Sequence, residues 1–141
     1  MTSLQHPTSP ISIVPILTTL LLWFALLTGA NAQKVALVVG NNAYTHASPL
    51  SSPVKDALDM GAILESNGYS TLKLTDANRS RMIDGLDEMQ QVGANADICL
   101  FYFSGHGLEY QGANYLSPIN SRLRTRDDLE TSLVPLERVL E

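Results

Sequence analysis

Two hydrophobic periods alternate along residues 33–141. Residues 34–39 (Lys-Val-Ala-Leu-Val-Val) are a short apolar run closed by Gly40-Asn41-Asn42, the pattern of a buried strand ending in a turn. Ser52-Pro53 then offers an N-cap residue followed by Pro at the first helical position. Val54, Ala57, Leu58, Gly61 and Leu64 share one face of the predicted helix, and Gly68 stops it. Residues 69–74 read as a second strand. Asn78 is the N-cap of a second helix, with Met82, Ile83, Leu86 and Met89 on its apolar face and Gly93 at its end. Residues 97–103 form a third strand, wholly apolar after Asp97. A fourth is expected at 114–116, and residues 135–140 look like the start of another helix.

Strand, helix, strand, helix, strand, with continuous apolar strands, predicts an α/β fold built on an open, mostly parallel sheet with helices on both faces. Right-handed crossovers put the first two helices on one face or on opposite faces according to strand order. In the order 2-1-3-4 the topology reverses between strands 1 and 3, and ligands gather at the carboxyl ends of those two strands. Those ends are Gly40-Asn41-Asn42 and Ser104-Gly105-His106-Gly107. Glycines on either side of His106 allow a tight turn and the approach of a substrate backbone. An imidazole there has the pKa range of a general base, whereas the plainer reading is a loop His in a Gly-rich turn.

Charge and the amino-terminal segment narrow the picture. The first charged side chain is Lys34, and an apolar core at 16–27, broken only by Thr18 and Thr19, precedes Ala30-Asn31-Ala32. A bilayer-crossing helix needs roughly 20 apolar residues, so this run is short for an anchor and fits a signal peptide with an A-x-A cleavage site. The expected division is residues 1–32 as signal peptide and 33–141 as the working domain, exported to a periplasmic or extracellular space. An uncleaved anchor is the alternative, because only the α-amino group and His6 can make the start positive. With the signal removed, no stable membrane association is expected.

The net charge of −5 argues against nucleic acid, and Arg122, Arg124 and Arg126 read as a solvated face. Cys99 is the single cysteine, so no intrachain disulfide framework exists. Inside an apolar strand it is expected to pack in the core as a small hydrophobe. His6, His46 and His106 lack metal-ligand spacing, and no catalytic metal is expected.

Phe101-Tyr-Phe-Ser-Gly-His-Gly107 resembles the aromatic-rich strand and G-H-G turn of the caspase, metacaspase and paracaspase peptidases. Residues 35–41 (Val-Ala-Leu-Val-Val-Gly-Asn) with Tyr44 resemble that family's first strand, residues 53–57 (Pro-Val-Lys-Asp-Ala) its first helix, and residues 114–120 the strand after the His. Four segments in order make the likeness specific, and it covers nearly all of residues 34–141. It implies a caspase-like fold and a cysteine endopeptidase acting on protein or peptide substrates through a Cys–His dyad. By that resemblance His106 is the catalytic His, the Gly107 amide an oxyanion-hole donor, and Asp56 an acid of the primary specificity pocket that favours Arg or Lys at the cleaved position. Asp56 also suits a helix first turn on dipole grounds alone. Metacaspase likeness admits calcium by analogy, although nothing in these residues demonstrates a site; no other cofactor is implied.

One departure bears on mechanism. The family's Cys follows the His by about 50 residues, which falls past Glu141, and Cys99 precedes His106 within the third strand. By that resemblance these residues are expected to represent the amino-terminal part of the domain, inactive alone, with the sheet edge beyond 114–116 left unpaired. Ser104 is no substitute, because no G-x-S-x-G elbow surrounds it. Two other readings follow from the same residues: a caspase-like binding or scaffolding module without a nucleophile, and a phosphate-binding doubly wound domain. The second is disfavoured because Gly40-Asn41-Asn42 lacks G-x-G-x-x-G. For export, intact-mass analysis of the exported protein should show cleavage after Ala32, with Gln33 as the new terminus; a mass that retains residues 1–32 would establish the anchor.

Overall fold

The computed structural model describes residues 32–140, so residues 1–31, which hold most of the expected signal peptide, lie outside the described residues. Strand β1 (Lys34–Gly40) lies between β2 (Tyr69–Thr75) and β3 (Ile98–Ser104), parallel to both. This is the predicted α/β arrangement, with the order 2-1-3 for the first three strands. Two helices complete the layer: α1 (Pro53–Ser66) joins β1 to β2, and α2 (Arg79–Gly93) joins β2 to β3.

β1 is buried on both faces, and its alternation decides where each helix sits. Ala36 and Val38 pack with Ala57 and Leu64 of α1, whereas Leu37 and Val39 pack with Met82 and Leu86 of α2. The helices therefore cover opposite faces. Right-handed crossovers that carry the chain to opposite sides of β1 require this.

The helix ends follow local chemistry, with one substitution of partners. Asn78 caps α2 as predicted, its side chain accepting from Arg81 N–H at 2.9 Å. Gly68 ends the α1 turn at φ +82°. Ser52 precedes α1 but makes no side-chain capping bond. Asn42 replaces it: Val54 N–H donates to Asn42 Oδ1 at 2.9 Å. Pro53 has no N–H to cap, so the first available donor is Val54, and it faces the end of β1. The buried stripe of α1 is Pro53, Ala57, Gly61 and Leu64, and Leu58 at its margin is exposed.

The fourth strand does not join the parallel sheet. Residues Ala113–Leu116 (β5) pair antiparallel with β4 (Gly107–Tyr110) and with the two-residue β6 (Val134–Pro135). Among the described residues β6 thus covers the Tyr115–Leu116 half of β5, where an unpaired edge was expected. The hairpin turns on Gln111 (φ 52°) and Gly112 (φ 82°), two positive-φ residues between Tyr110 and Ala113. That backbone is the type I′ arrangement, and Gln-Gly carries it with less sequence signal than Asn-Gly. A short helix, α3 (Asp128–Ser132), precedes β6, and residues Leu136–Val139 form one 3₁₀ turn where a helix start was expected.

Gly40 fixes how closely α1 approaches the sheet. A Cβ added there would stand 2.4 Å from Pro53 O and 2.7 Å from Ala57 Cβ. The first obstacle is backbone, which cannot swing aside. Gly40→Ala should destabilise the domain by roughly 1–3 kcal/mol, the usual scale of overpacking. The check is a lower denaturant midpoint at unchanged m-value; an unchanged midpoint would mean that α1 can shift freely.

Candidate active site

The carboxyl ends of β1 and β3 meet at Asn41, whose side chain is fully buried. Its N–H donates to Ser104 O at 3.0 Å, its Oδ1 accepts from Ala77 N–H at 2.8 Å, and its Nδ2 donates to Ser117 O at 3.2 Å. Four segments are joined by one residue: β1, the end of β3, the β2–α2 turn and the segment after β5. The last of these returns to the His turn, because Ser117 N–H donates to His106 O at 3.0 Å.

Tyr44 completes the support of the His turn. Its hydroxyl accepts from His106 N–H at 2.8 Å and donates to Ser117 O at 3.3 Å. Its ring lies 4.5 Å from the imidazole, tilted by 52°. Burial pushes the phenol above its ordinary pKa, partly offset by the hydrogen bond with the His106 backbone, so it remains neutral. Gly105 makes the approach possible, since a Cβ there would fall 2.5 Å from the Tyr44 hydroxyl. This close approach is the physical need for the first glycine of G-H-G.

The imidazole itself is half-buried, with Nε2 2.8 Å from Ser48 O. A carbonyl oxygen can only accept, so Nε2 carries the proton and donates. Nδ1 is then the basic nitrogen of the neutral ring. The loop of residues 41–52 thus orients the imidazole and sets its tautomer.

Gly107 opens β4 opposite Leu116 and is exposed. The bond from Ser117 N–H to His106 O brackets Gly107 and Leu116 as a non-hydrogen-bonded pair. The Gly107 N–H therefore points away from β5, toward the open side of the turn.

Asp56 occupies the first turn of α1, which rests on Gly40 at the same carboxyl edge of the sheet. It is half-buried, and its carboxylate has no hydrogen bond or ion pair among the described residues. The fold brings Asp56, His106 and Gly107 to one edge, and no hydrogen bond links Asp56 to the other two.

Cys99 is placed differently from expectation. It is exposed, not packed in the core. Its strand lies at the sheet's margin among the described residues, and its thiol donates to Gly93 O at 3.7 Å beside an open cavity of about 300 Å³ with Leu86, Met89 and Val139. It remains remote from His106: Cys99 pairs with Val35 near the start of β3, and seven extended residues span roughly 20 Å. Among the described residues no cluster of three or more His, Cys, Asp and Glu side chains could hold a metal. No described helix is long and apolar enough to cross a membrane.

An open parallel α/β layer with a glycine-flanked His at its topological switch point defines the class of fold and site. Comparison with known proteins gives the family. Residues 33–137 match the Caspase domain, and the chain belongs to that peptidase family. It is 27% identical over 89 residues to the mouse (Mus musculus) protein "Mucosa-associated lymphoid tissue lymphoma translocation protein 1 homolog", covering 63% of this chain and 11% of that one. The human protein of that name matches at the same identity and coverage. A crystal structure of a Geobacter sulfurreducens protein shares the fold, with TM-score 0.57, 22% identity, and 76% of this chain against 43% of that one. The chain thus spans about a tenth of the length of the curated relatives it matches.

The sequence pointed to His106 and to both sheet ends, but not to Ser48 or the Asn42 cap, whose roles arise from backbone groups far apart in the chain. Tyr44→Phe keeps the ring and orphans the buried His106 N–H, so it should cost about 1–3 kcal/mol of stability. His106→Ala keeps that N–H bond and should cost less. Denaturant midpoints of the two variants give the comparison; the reverse ranking would mean that the imidazole, and not the Tyr44 hydroxyl, anchors the turn.

Proposed function

We propose that this chain supplies the general base, one oxyanion donor and the specificity acid of a cysteine endopeptidase that cuts protein after Arg or Lys. The observation that carries the reading is the Ser48 carbonyl at 2.8 Å from His106 Nε2, which leaves Nδ1 as the base on the open side of the G-H-G turn. Family membership supports protein substrates and thiol chemistry.

In this mechanism a Cys thiol gives its proton to His106 Nδ1, and the thiolate attacks the peptide carbonyl carbon. The oxyanion forms beside the Gly107 N–H. The carbon–nitrogen bond then breaks, and the leaving amine takes the proton from Nδ1. Water, deprotonated by the same nitrogen, hydrolyses the thioester and restores the thiol. The sulfur comes from outside these 141 residues, since Cys99 is the chain's single cysteine and faces the other end of β3.

Asp56 supplies the charge for a basic side chain: a half-buried carboxylate without an internal partner is free to take a guanidinium or ammonium. The export pattern of residues 1–32 supports a reaction outside the cytoplasm.

The test compares the 141-residue chain with a longer native form carrying the Cys, on fluorogenic peptides that differ only at the cleaved residue. The short chain should be inactive and unlabelled by thiol-directed inhibitors at the site. The longer form should cut after Arg or Lys, lose turnover in His106→Ala, and keep it in Cys99→Ala. Asp56→Ala should lower kcat/KM for basic peptides by roughly 2–4 kcal/mol of transition-state stabilisation. Turnover by the short chain that vanishes in Cys99→Ala would refute the placement of the nucleophile. A longer form that binds peptides without cutting them would instead make the domain a binding or scaffolding module.

A further inference from the structure

We infer that Asp76 is a positioning residue that couples the His106 base to the Asp56 helix through Asn42. The inference rests on the roles proposed above for those two residues.

Asp76 follows β2, on the side of β1 remote from His106, and nothing in its sequence context marks it as part of a site. Its Oδ1 accepts from Asn42 N–H at 2.7 Å and from Ala43 N–H at 2.9 Å. Its own N–H donates to Gly40 O at 2.9 Å. It adopts φ 47°, a left-handed conformation that costs most residues strain and that Asp and Asn tolerate best. An ionised carboxylate bound to two adjacent backbone N–H groups is a strong, directional clamp. It holds the first two residues after Asn41.

Asn42 passes this constraint in two directions. Its Oδ1 caps Val54 at the entry of α1, two residues before Asp56. Its carbonyl accepts from Tyr44 N–H and from Leu50 N–H, both at 3.1 Å. Those two bonds close the loop around Ser48, whose carbonyl orients His106 Nε2. One residue therefore sets both the helix that bears the specificity acid and the loop that fixes the base. A shift of Asn42 would move both together, by the small displacements that cost catalysis most.

A pair of substitutions separates the carboxylate from the backbone strain. Asp76→Asn keeps an acceptor oxygen and tolerates positive φ. Asp76→Gly removes the acceptor while tolerating φ 47° better than Asp does. The readouts need no turnover, so they stand apart from the test of peptidase activity. They are the ¹⁵N shifts of the His106 ring in the full chain, which report the tautomer, and amide exchange at Val54 and Leu50.

In the unsubstituted chain and in Asp76→Asn, His106 should show the Nε2–H tautomer and both amides should be protected. In Asp76→Gly the ring signals should move toward a tautomer mixture. Val54 and Leu50 should exchange about tenfold faster, the scale of one weakened hydrogen bond. Amides within β1 should stay as they were. Wild-type ring shifts and exchange in Asp76→Gly would overturn the inference. So would loss of β1 protection along with the rest, since the carboxylate would then hold the whole fold and not the site.

Discussion

The buried side chain of Asn41 makes contacts that no single secondary-structure element could make for it. A primary amide withdrawn from water must find hydrogen-bond partners or lose a substantial part of the domain's stability. Its partners are Ala77 N–H and Ser117 O, while its own N–H bonds Ser104 O. Satisfying this residue fixes the relative positions of the ends of β1 and β3, the start of α2 and the segment that returns to the His turn. The parallel sheet and the small antiparallel sheet meet through it.

From that junction the site is organised by backbone groups more than by side chains. The His106 N–H and carbonyl are both engaged, by Tyr44 and by Ser117, so the turn cannot rotate without breaking two hydrogen bonds. Ser48 contributes a carbonyl to the imidazole, and Gly107 presents a free-standing N–H. Such groups are insensitive to the identity of the residues that carry them. Groups of this kind belong to the path of the chain, which explains why the fold can be shared at 22% identity.

Glycine positions show the same dependence from the packing side. Gly40 admits the first turn of α1, and Gly105 admits the Tyr44 hydroxyl; neither needs a positive φ. Their value is the absence of a Cβ where two segments touch. The edge strand shows the converse. β3 is the most apolar strand in sequence, yet its side chains are half-buried or exposed, whereas β1 is enclosed. Burial in a sheet is decided by position in the strand order, and Cys99 was misplaced for that reason.

The sequence by itself determined the three parallel strands, the two long helices, the Asn78 cap and the G-H-G turn at the switch point, because each is written in local periodicity or in a residue type with one strong backbone preference. Motif likeness also singled out His106, Gly107 and Asp56 as candidate site residues. The tertiary structure alone decided that residues 113–116 join a second, antiparallel sheet, that Asn42 replaces Ser52 at the α1 cap, that Ser48 and Tyr44 flank His106, and that Asp76 binds the amides of Asn42 and Ala43. The hairpin has a local turn, but Gln-Gly is a weak signal for it; the other outcomes rest on hydrogen bonds between residues 12 to 73 positions apart. No local pattern encodes such bonds, since only the folded backbone brings those donors and acceptors within reach.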